Sequence, residues 1–184
     1  TTFDWDNKTA SVSKQNNPNA WTIGICWTLH RVPKEVLESS KDLDIYVRHE
    51  YETVSKLLVN ALSNGADLSN VRGIAYRVGN QVMVTDDSES LLDWDSLPLP
   101  AYDLLLTLKY YHINTPHGSP FTTIYASKGC PYSCIFCTVR NTQVKKRSAE
   151  SILNELRYLK KKFNVKMVSF FEETFTIDRE RVIA

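Results

Sequence analysis

Three of the four cysteines in this chain lie within one short segment, Tyr125-Ala126-Ser127-Lys128-Gly129-Cys130-Pro131-Tyr132-Ser133-Cys134-Ile135-Phe136-Cys137. Their spacing is C-x3-C-x2-C, and the fourth cysteine, Cys26, lies far upstream. Four cysteines in 184 residues are too few for a disulfide scaffold. Three neighbouring thiolates suit a soft metal centre or an iron–sulfur cluster. Three ligands on a four-iron cluster would leave one iron open to a further ligand, which a catalytic cluster needs.

Zinc is the alternative metal. Structural zinc usually takes four protein ligands, commonly as two separated pairs, and this chain has no second pair of cysteines. His112 and His117 precede the cysteines and could complete a zinc site, but their spacing fits no common zinc module. A further interpretation is that the three cysteines are reduced and unrelated residues of a turn.

The residues around the cysteines predict a strand, a loop, a helix and a second strand. Phe121–Ala126 is rich in β-branched and aromatic residues, and Gly129 and Pro131 end this strand. Ser148 is a candidate N-cap, and apolar residues recur after it at helical spacing: Ile152, Leu153, Leu156, Leu159 and Phe163. Val165–Phe171 is the second predicted strand. This order is a βαβ unit, which implies parallel strands.

Glu172 and Glu173 follow the second predicted strand. In parallel βα folds, active sites lie on the loops after the carboxyl ends of the strands. The cysteine loop occupies that position after the first strand, and the two glutamates occupy it after the second. We therefore expect both features on one face, although two glutamates at a strand end could also be merely solvated.

The cysteine segment resembles the cluster loop of radical S-adenosylmethionine (SAM) enzymes, whose signature has three cysteines at this spacing and an aromatic residue before the last one. The resemblance implies that Cys130, Cys134 and Cys137 hold a 4Fe–4S cluster and that SAM chelates the fourth iron. It implies that Phe136 packs near the adenine. The segment Phe170–Thr176 is similar to a motif of the subgroup fused to cobalamin-binding domains, which implies that Glu172 and Glu173 hold the methionyl end of SAM.

The N-terminal half also alternates strands and helices and ends in a hairpin. The predicted strands and helices are Trp21–Trp27, Pro33–Ser39, Asp44–Arg48, Glu50–Leu62, Val71–Tyr76 and Gln81–Thr85, with Gly79-Asn80 as the hairpin turn. No element is predicted in the polar stretch Thr1–Ala20. The segments Val32–Leu37, Val47–Thr53 and Val71–Arg77 resemble the second half of a Rossmann-like cobalamin-binding domain, and Leu97–Leu105 resembles the linker to the barrel.

The expected fold is therefore α/β. A partial Rossmann-like, cobalamin-binding-type domain over residues 1–86 is followed by a linker over 87–118. Residues 119–184 would form the first βα units of a radical SAM, TIM-like partial barrel. Cobalamin is a candidate further cofactor, but the Asp-x-His-x-x-Gly motif that supplies a cobalt ligand is absent from the sequence, which argues against it.

The resemblance implies an enzyme in which the reduced cluster cleaves SAM to a 5′-deoxyadenosyl radical. The radical would act on a small-molecule substrate in methyl transfer, cyclisation or another rearrangement, with an electron donor such as flavodoxin or ferredoxin. Both ends of the chain look cut, and a full eightfold barrel takes roughly 250 residues. We therefore expect a fragment without turnover of its own.

Two other functions remain as alternatives. One is a non-catalytic zinc or metal-binding module. The other is a methylthiotransferase acting on tRNA or protein, which would need three further cysteines for a second cluster, whereas only Cys26 is available.

Charge and hydropathy exclude several classes of partner. The chain has 22 Lys and Arg against 21 Asp and Glu, for a net charge of +1. This balance gives no electrostatic case for nucleic acid across the whole chain. No stretch approaches the roughly 18 apolar residues of a membrane span, and Thr1–Ala20 lacks the apolar core of a secretory signal. We expect a cytoplasmic protein without a membrane partner.

Overall fold

The computed structural model describes residues 3–26, 29–48, 50–88, 92–105 and 118–183. The chain divides into two compact units, Thr1–Leu91 and Leu92–Ala184. The predicted boundaries of the two domains and the linker stay predictions. Residues 106–117 of that linker, including His112 and His117, lie outside the described residues.

The first unit contains a four-stranded sheet with helices. Its elements are α1 (Phe3–Asn16), β1 (Ile23–Ile25), α2 (Pro33–Glu38), β2 (Ile45–Val47), α3 (Tyr51–Ser63), β3 (Ile74–Val78) and β4 (Gln81–Val84). The strand order is β1-β2-β3-β4, with β1 parallel to β2 and the other pairs antiparallel. Gly79 has φ +58° in the turn between β3 and β4, which confirms the predicted hairpin.

Helix α3 covers the centre of this sheet. Val54 and Leu58, four residues apart on one helix face, are buried against Ile45, Val47 and Ile74 of β2 and β3. These three strand residues are fully buried, so their apolar side chains contribute the main hydrophobic stabilisation of the unit.

Helix α1 was not predicted from the sequence. Its 14 residues bury only Ala10, so they lack the apolar stripe by which a helix is recognised. Its acidic residues lie in the first turn and Lys14 in the last, which favours the helix dipole. The Lys14 ammonium lies 2.6 Å from a carboxylate oxygen of Asp44 and donates a hydrogen bond to the Ala20 carbonyl. These contacts attach α1 to the chain just before β2.

The second unit contains the predicted βαβ arrangement. Its elements are β5 (Phe121–Ile124), β6 (Ser127–Lys128), β7 (Lys145–Lys146), α4 (Ala149–Phe163), β8 (Met167–Phe170) and α5 (Arg179–Ile183). Strands β5 and β8 pair in parallel with α4 between them in sequence, which confirms the βαβ prediction. Strands β6 and β7 form a short antiparallel pair that was not predicted.

Helix α4 begins at the predicted cap. The Ser148 hydroxyl accepts a hydrogen bond from the Ser151 N–H at 3.1 Å, and Asp95 accepts one from the Ser148 N–H at 2.8 Å. Ile152 and Leu159 are buried in the core of the unit. Leu153 differs from its prediction as a core residue, because 42% of it is exposed. It lies at the edge of the apolar face.

A buried polar network joins the stretch before β5 to α4. The Tyr102 hydroxyl donates to Glu155 at 2.6 Å, and Arg147 forms an ion pair with the other oxygen of the same carboxylate. Glu155 is 1% exposed. Burial raises the pKa of Tyr102, and its hydrogen bond to Glu155 adds to this effect. Each oxygen of this buried carboxylate therefore has a donor, as buried charges require.

Among the described residues, no helix has both the length and the apolar character needed to cross a membrane.

We predict that Tyr102→Phe lowers the free energy of unfolding by about 1–3 kcal/mol, because it leaves a buried oxygen of Glu155 without a donor. The matched control is Tyr158→Phe, which removes a hydroxyl that contacts Lys162 at the surface and should cost about 0.5 kcal/mol or less. Urea titrations followed by tryptophan fluorescence and circular dichroism measure both. Equal costs for the two variants would contradict the structural role of the network.

Candidate functional site

The cysteine loop is closed at its base by backbone and hydroxyl hydrogen bonds. The Cys130 N–H donates to the Thr142 hydroxyl oxygen, and the Thr142 N–H donates to the Cys130 carbonyl, both at 2.9 Å. The Asn141 N–H donates to the Tyr132 carbonyl at 3.0 Å. Together with the β6–β7 pair, these bonds fix where the loop leaves and rejoins the unit.

The tip of the loop is open to solvent. Ile135 is 88% exposed and Phe136 is 87% exposed. Cys134 is exposed, whereas Cys130 and Cys137 are half-buried, and all three are free thiols. The Cys137 N–H donates to the Cys134 carbonyl at 3.1 Å, so a turn joins the last two cysteines. The Cys130 thiol, nearest the base, is therefore less accessible to solvent than the Cys134 thiol at the tip.

The three cysteines do not form a closed metal site. Within the described ranges, no three His, Cys, Asp or Glu side chains converge closely enough to hold a metal ion. Cys130, Cys134 and Cys137 therefore remain predicted ligands, brought into one loop by the structure.

Gly129 is the residue on which the start of this loop depends. Its φ is +96°, and a Cβ atom added there would lie 2.1 Å from the Gln143 carbonyl oxygen. Real Cβ contacts do not approach this distance, and the obstacle is backbone rather than a flexible side chain. Only glycine lets the two ends of the loop come this close.

The acidic segment after β8 reaches the base of the loop. Glu173 accepts a hydrogen bond from the Gly129 N–H at 3.1 Å, and Glu172 accepts one from the Ser127 hydroxyl. The Thr174 hydroxyl lies 4.0 Å from the Cys130 sulfur. The prediction that the cysteine loop and the acidic pair share one face is confirmed, and it follows from the parallel pairing of β5 with β8.

The two glutamates have different surroundings. The Glu172 side chain is 1% exposed and forms an ion pair with Arg181 at 3.3 Å, whereas Glu173 is exposed. Burial raises the pKa of Glu172, the Arg181 charge opposes this effect, and the Glu173 charge adds to it. One carboxylate oxygen of Glu172, Oε1, is buried without a hydrogen-bond partner among the described residues.

Arg181 is the site residue that sequence reasoning missed. It lies on the short helix α5, where nothing in the local pattern distinguishes it from Arg179. Its contacts with Glu172 and with the Ala126 carbonyl depend on the tertiary fold, which the spacing of residues does not reveal.

Two aromatic side chains lie where β5 and β8 end. Tyr125 and Phe171 pack edge to face, with ring centroids 5.5 Å apart, and both are exposed. Burial raises the pKa of Tyr125, and the charge of Glu173 adds to this effect. The structure therefore provides flat apolar surface beside the cysteine loop.

A cavity of about 940 Å³ lies in the first unit and contains none of the predicted site residues. It is bounded by α1, β1 and α2 and lined mainly by apolar atoms. Cys26 and Tyr46 both line it, and the Tyr46 hydroxyl donates to the Cys26 carbonyl at 2.8 Å.

Comparison with known proteins identifies relatives over almost the whole chain. No family model matches. An uncharacterised methyltransferase of Pyrococcus horikoshii is 31% identical over 178 residues, which cover 95% of this chain and 38% of that protein. The anaerobic magnesium-protoporphyrin IX monomethyl ester cyclase of Rubrivivax gelatinosus is 29% identical over 186 residues, covering 96% of this chain and 32% of that enzyme. The chain thus spans about a third of the length of these relatives.

Among solved structures, the radical SAM methyltransferase TsrM of Kitasatospora setae superposes with a TM-score of 0.70 at 13% identity, over 96% of this chain and 34% of that one. That structure contains cobalamin and a [4Fe-4S] cluster.

The chain is therefore related in sequence to a methyltransferase and a cyclase, and it shares the fold of the matching part of a radical SAM methyltransferase.

The solved structures confirm the fold of the chain. The expected α/β fold class is confirmed, with a cobalamin-binding-type unit followed by the first βα step of a radical SAM barrel. In this chain the C-x3-C-x2-C loop follows β5 and β6, and the acidic segment that contacts its base follows β8.

We predict that Gly129→Ala lowers the free energy of unfolding by at least about 2 kcal/mol more than Gly118→Ala does. Both glycines have φ above +90°, so both variants carry backbone strain of about 1–3 kcal/mol. Only Gly129 also meets a backbone oxygen, since no atom of the described residues lies within 4 Å of a Cβ added at Gly118. Urea unfolding measures the difference, and similar costs would show that the loop base opens without penalty.

Proposed function

We propose that this chain is the cluster- and SAM-binding part of a radical SAM enzyme that acts on a small molecule. The observation that carries the proposal is the contact of Glu172 and Glu173 with the residues just before the three-cysteine loop. This contact joins the predicted metal ligands to the predicted SAM contacts at one strand end. The relatives are a methyltransferase and a cyclase by name, so the proposed reaction is methyl transfer, cyclisation or another radical rearrangement.

The chemistry of the donor set fits a 4Fe–4S cluster. Three free thiols lie on one loop whose base is fixed and whose tip is open, so Cys130, Cys134 and Cys137 would hold the cluster. When bound, the cluster supplies the electron that cleaves SAM. The protein supplies positions and shielding for this chemistry. The open tip leaves room for the loop to close around a bound group.

The residues proposed for the SAM site are Phe136 and the acidic pair, Glu172 and Glu173. Phe136 is almost fully exposed beside Cys137 and offers an aromatic face to an adenine ring. Glu172 and Glu173 supply carboxylates at the end of β8 that would attract the cationic amino group of the methionyl end. Oε1 of Glu172 is buried without a hydrogen-bond partner among the described residues, so its negative charge adds to the attraction for a cation here.

Cobalamin stays a candidate further cofactor, with weaker support than the cluster and SAM. The Asp-x-His-x-x-Gly motif is absent from the sequence, although the fold neighbour TsrM holds cobalamin. For the proposed electron donor, a flavodoxin or ferredoxin, the exposed loop tip provides access from solvent.

We predict that the chain, reconstituted anaerobically with iron and sulfide, binds about four irons and gains a broad visible absorption band. Cys134→Ser should lose most of this iron, because a thiolate is the ligand that such clusters require. Cys134 is exposed, so its replacement leaves the core unchanged. Cys26→Ser is the matched control and should keep its iron, because Cys26 lies in the first unit.

Metal analysis of the same samples separates the alternatives. One zinc per chain and no colour would favour a zinc module and contradict the proposal. Iron bound equally by wild type, Cys134→Ser and Cys26→Ser would show that the C-x3-C-x2-C loop is not the binding site.

A further inference from the structure

Arg181 binds two elements of the site at once. Its guanidinium donates from Nη1 to the Ala126 carbonyl at 2.9 Å and from Nη2 to the Phe175 carbonyl at 3.1 Å. The same Nη2 lies 3.3 Å from Oε2 of Glu172. The Arg181 side chain is 6% exposed. A planar guanidinium held by two backbone carbonyls has a fixed direction, so its contact with Glu172 is also fixed.

Glu172 extends this contact to the strand before the cysteine loop. Its Oε2 accepts from both Arg181 and the Ser127 hydroxyl. Ala126 is fully buried and Ser127 is 2% exposed. Arg181 and Glu172 therefore hold two successive residues, Ala126 and Ser127, which lie four and three positions before Cys130. The other oxygen, Oε1, is also buried, although it has no hydrogen-bond partner among the described residues. The Glu172 carboxylate is therefore closed to solvent, and its Oε2 is held by two protein donors.

Glu173 has the opposite character. It is exposed, and its hydrogen bond from the Gly129 N–H leaves carboxylate lone pairs free to accept other donors. Its negative charge also reaches Tyr125, on the aromatic surface beside the loop. Of the two adjacent glutamates, this one is accessible to a ligand from solvent.

We propose that the acidic pair is divided in role: Arg181, Glu172 and Ser127 form a positioning network for the cysteine loop, and Glu173 alone contacts the bound SAM. This division rests on the proposed function for the identity of the ligand. The positioning part does not, because it concerns the metal-free chain. Arg181 acts through Glu172 and Ala126 and is a positioning residue.

The first test is hydrogen–deuterium exchange of the metal-free chain. In Arg181→Gln, we expect exchange of the amides in 126–137 to accelerate at least about tenfold, while the buried amides of α4 keep their wild-type rates. A merely structural role would accelerate both segments together. Arg179→Gln is the matched control, since it removes the same charge from an exposed residue of the same helix and should exchange like wild type.

Milder variants keep the test decisive if Arg181→Gln does not fold. Ser127→Ala removes only the hydroxyl that binds Glu172, and we expect a smaller acceleration confined to the same segment. Arg181→Lys keeps the charge but loses the fork that binds two carbonyls. We therefore expect its exchange in 126–137 to be slower than in Arg181→Gln and faster than in wild type. Uniform acceleration in these variants, or none, overturns the positioning network.

The second test measures SAM binding by equilibrium dialysis after anaerobic cluster reconstitution. We expect Glu173→Gln to load iron like wild type and to raise the Kd for SAM at least about tenfold. We expect Glu172→Gln to load less iron, while the loaded fraction keeps a Kd within about threefold of wild type. A raised Kd for Glu172→Gln at normal iron content overturns the division.

Different results would contradict the proposed function and the division of the acidic pair. If wild type binds neither iron nor SAM, the proposed function is wrong, and the exchange experiment still decides the positioning network. If wild type binds both and Glu173→Gln binds SAM as wild type does, the proposed function stands and the division is wrong.

Discussion

The parallel pairing of β5 with β8 is the constraint on which the second unit depends. The register Phe121–Met167 to Ile124–Phe170 makes both strands end at the same edge. The candidate ligands in this unit, thiols and carboxylates, therefore follow one of these two strand ends. The loop after β5 carries the cysteines, and the segment after β8 carries the glutamates. A shift of this register by one residue would turn Ile124 out of the core, where it is 2% exposed.

Two buried networks of charged side chains stabilise the edge of the sheet at which β5 and β8 end. Glu155, with Tyr102 and Arg147, joins α4 to the stretch before β5. Glu172, with Ser127 and Arg181, joins the end of β8 to β6. Both arginines also donate to carbonyls of the residues just before the cysteine loop, Arg147 to Tyr125 and Arg181 to Ala126. The backbone that leads into the loop is thus held by fixed positive charges, which are costly to bury unless they are paired.

Local signals in the sequence predicted the elements that carry them. The Ser148 cap, the apolar spacing of α4 and the Gly79-Asn80 turn each depend on neighbouring residues, and each was found where it was predicted. Contacts between distant residues were not predictable in this way. Arg181 and Tyr102 gain their roles from partners 9 and 53 residues away. Helix α1 was missed because its stabilising contacts are ionic rather than apolar. The pairing of β6 with β7 involves two residues on each side, too few to leave a period-2 pattern.

The open tip of the cysteine loop also determines how the chain responds to air. Cys134 is exposed, whereas Cys26, Cys130 and Cys137 are half-buried. An accessible thiol is the first to be oxidised to a sulfenic acid, which then condenses with a nearby thiol to a disulfide. Cys137 lies three residues further along the same turn. Oxidation at the tip would therefore remove two of the three thiols at once. The exposure that admits a metal to this loop makes it equally open to oxygen.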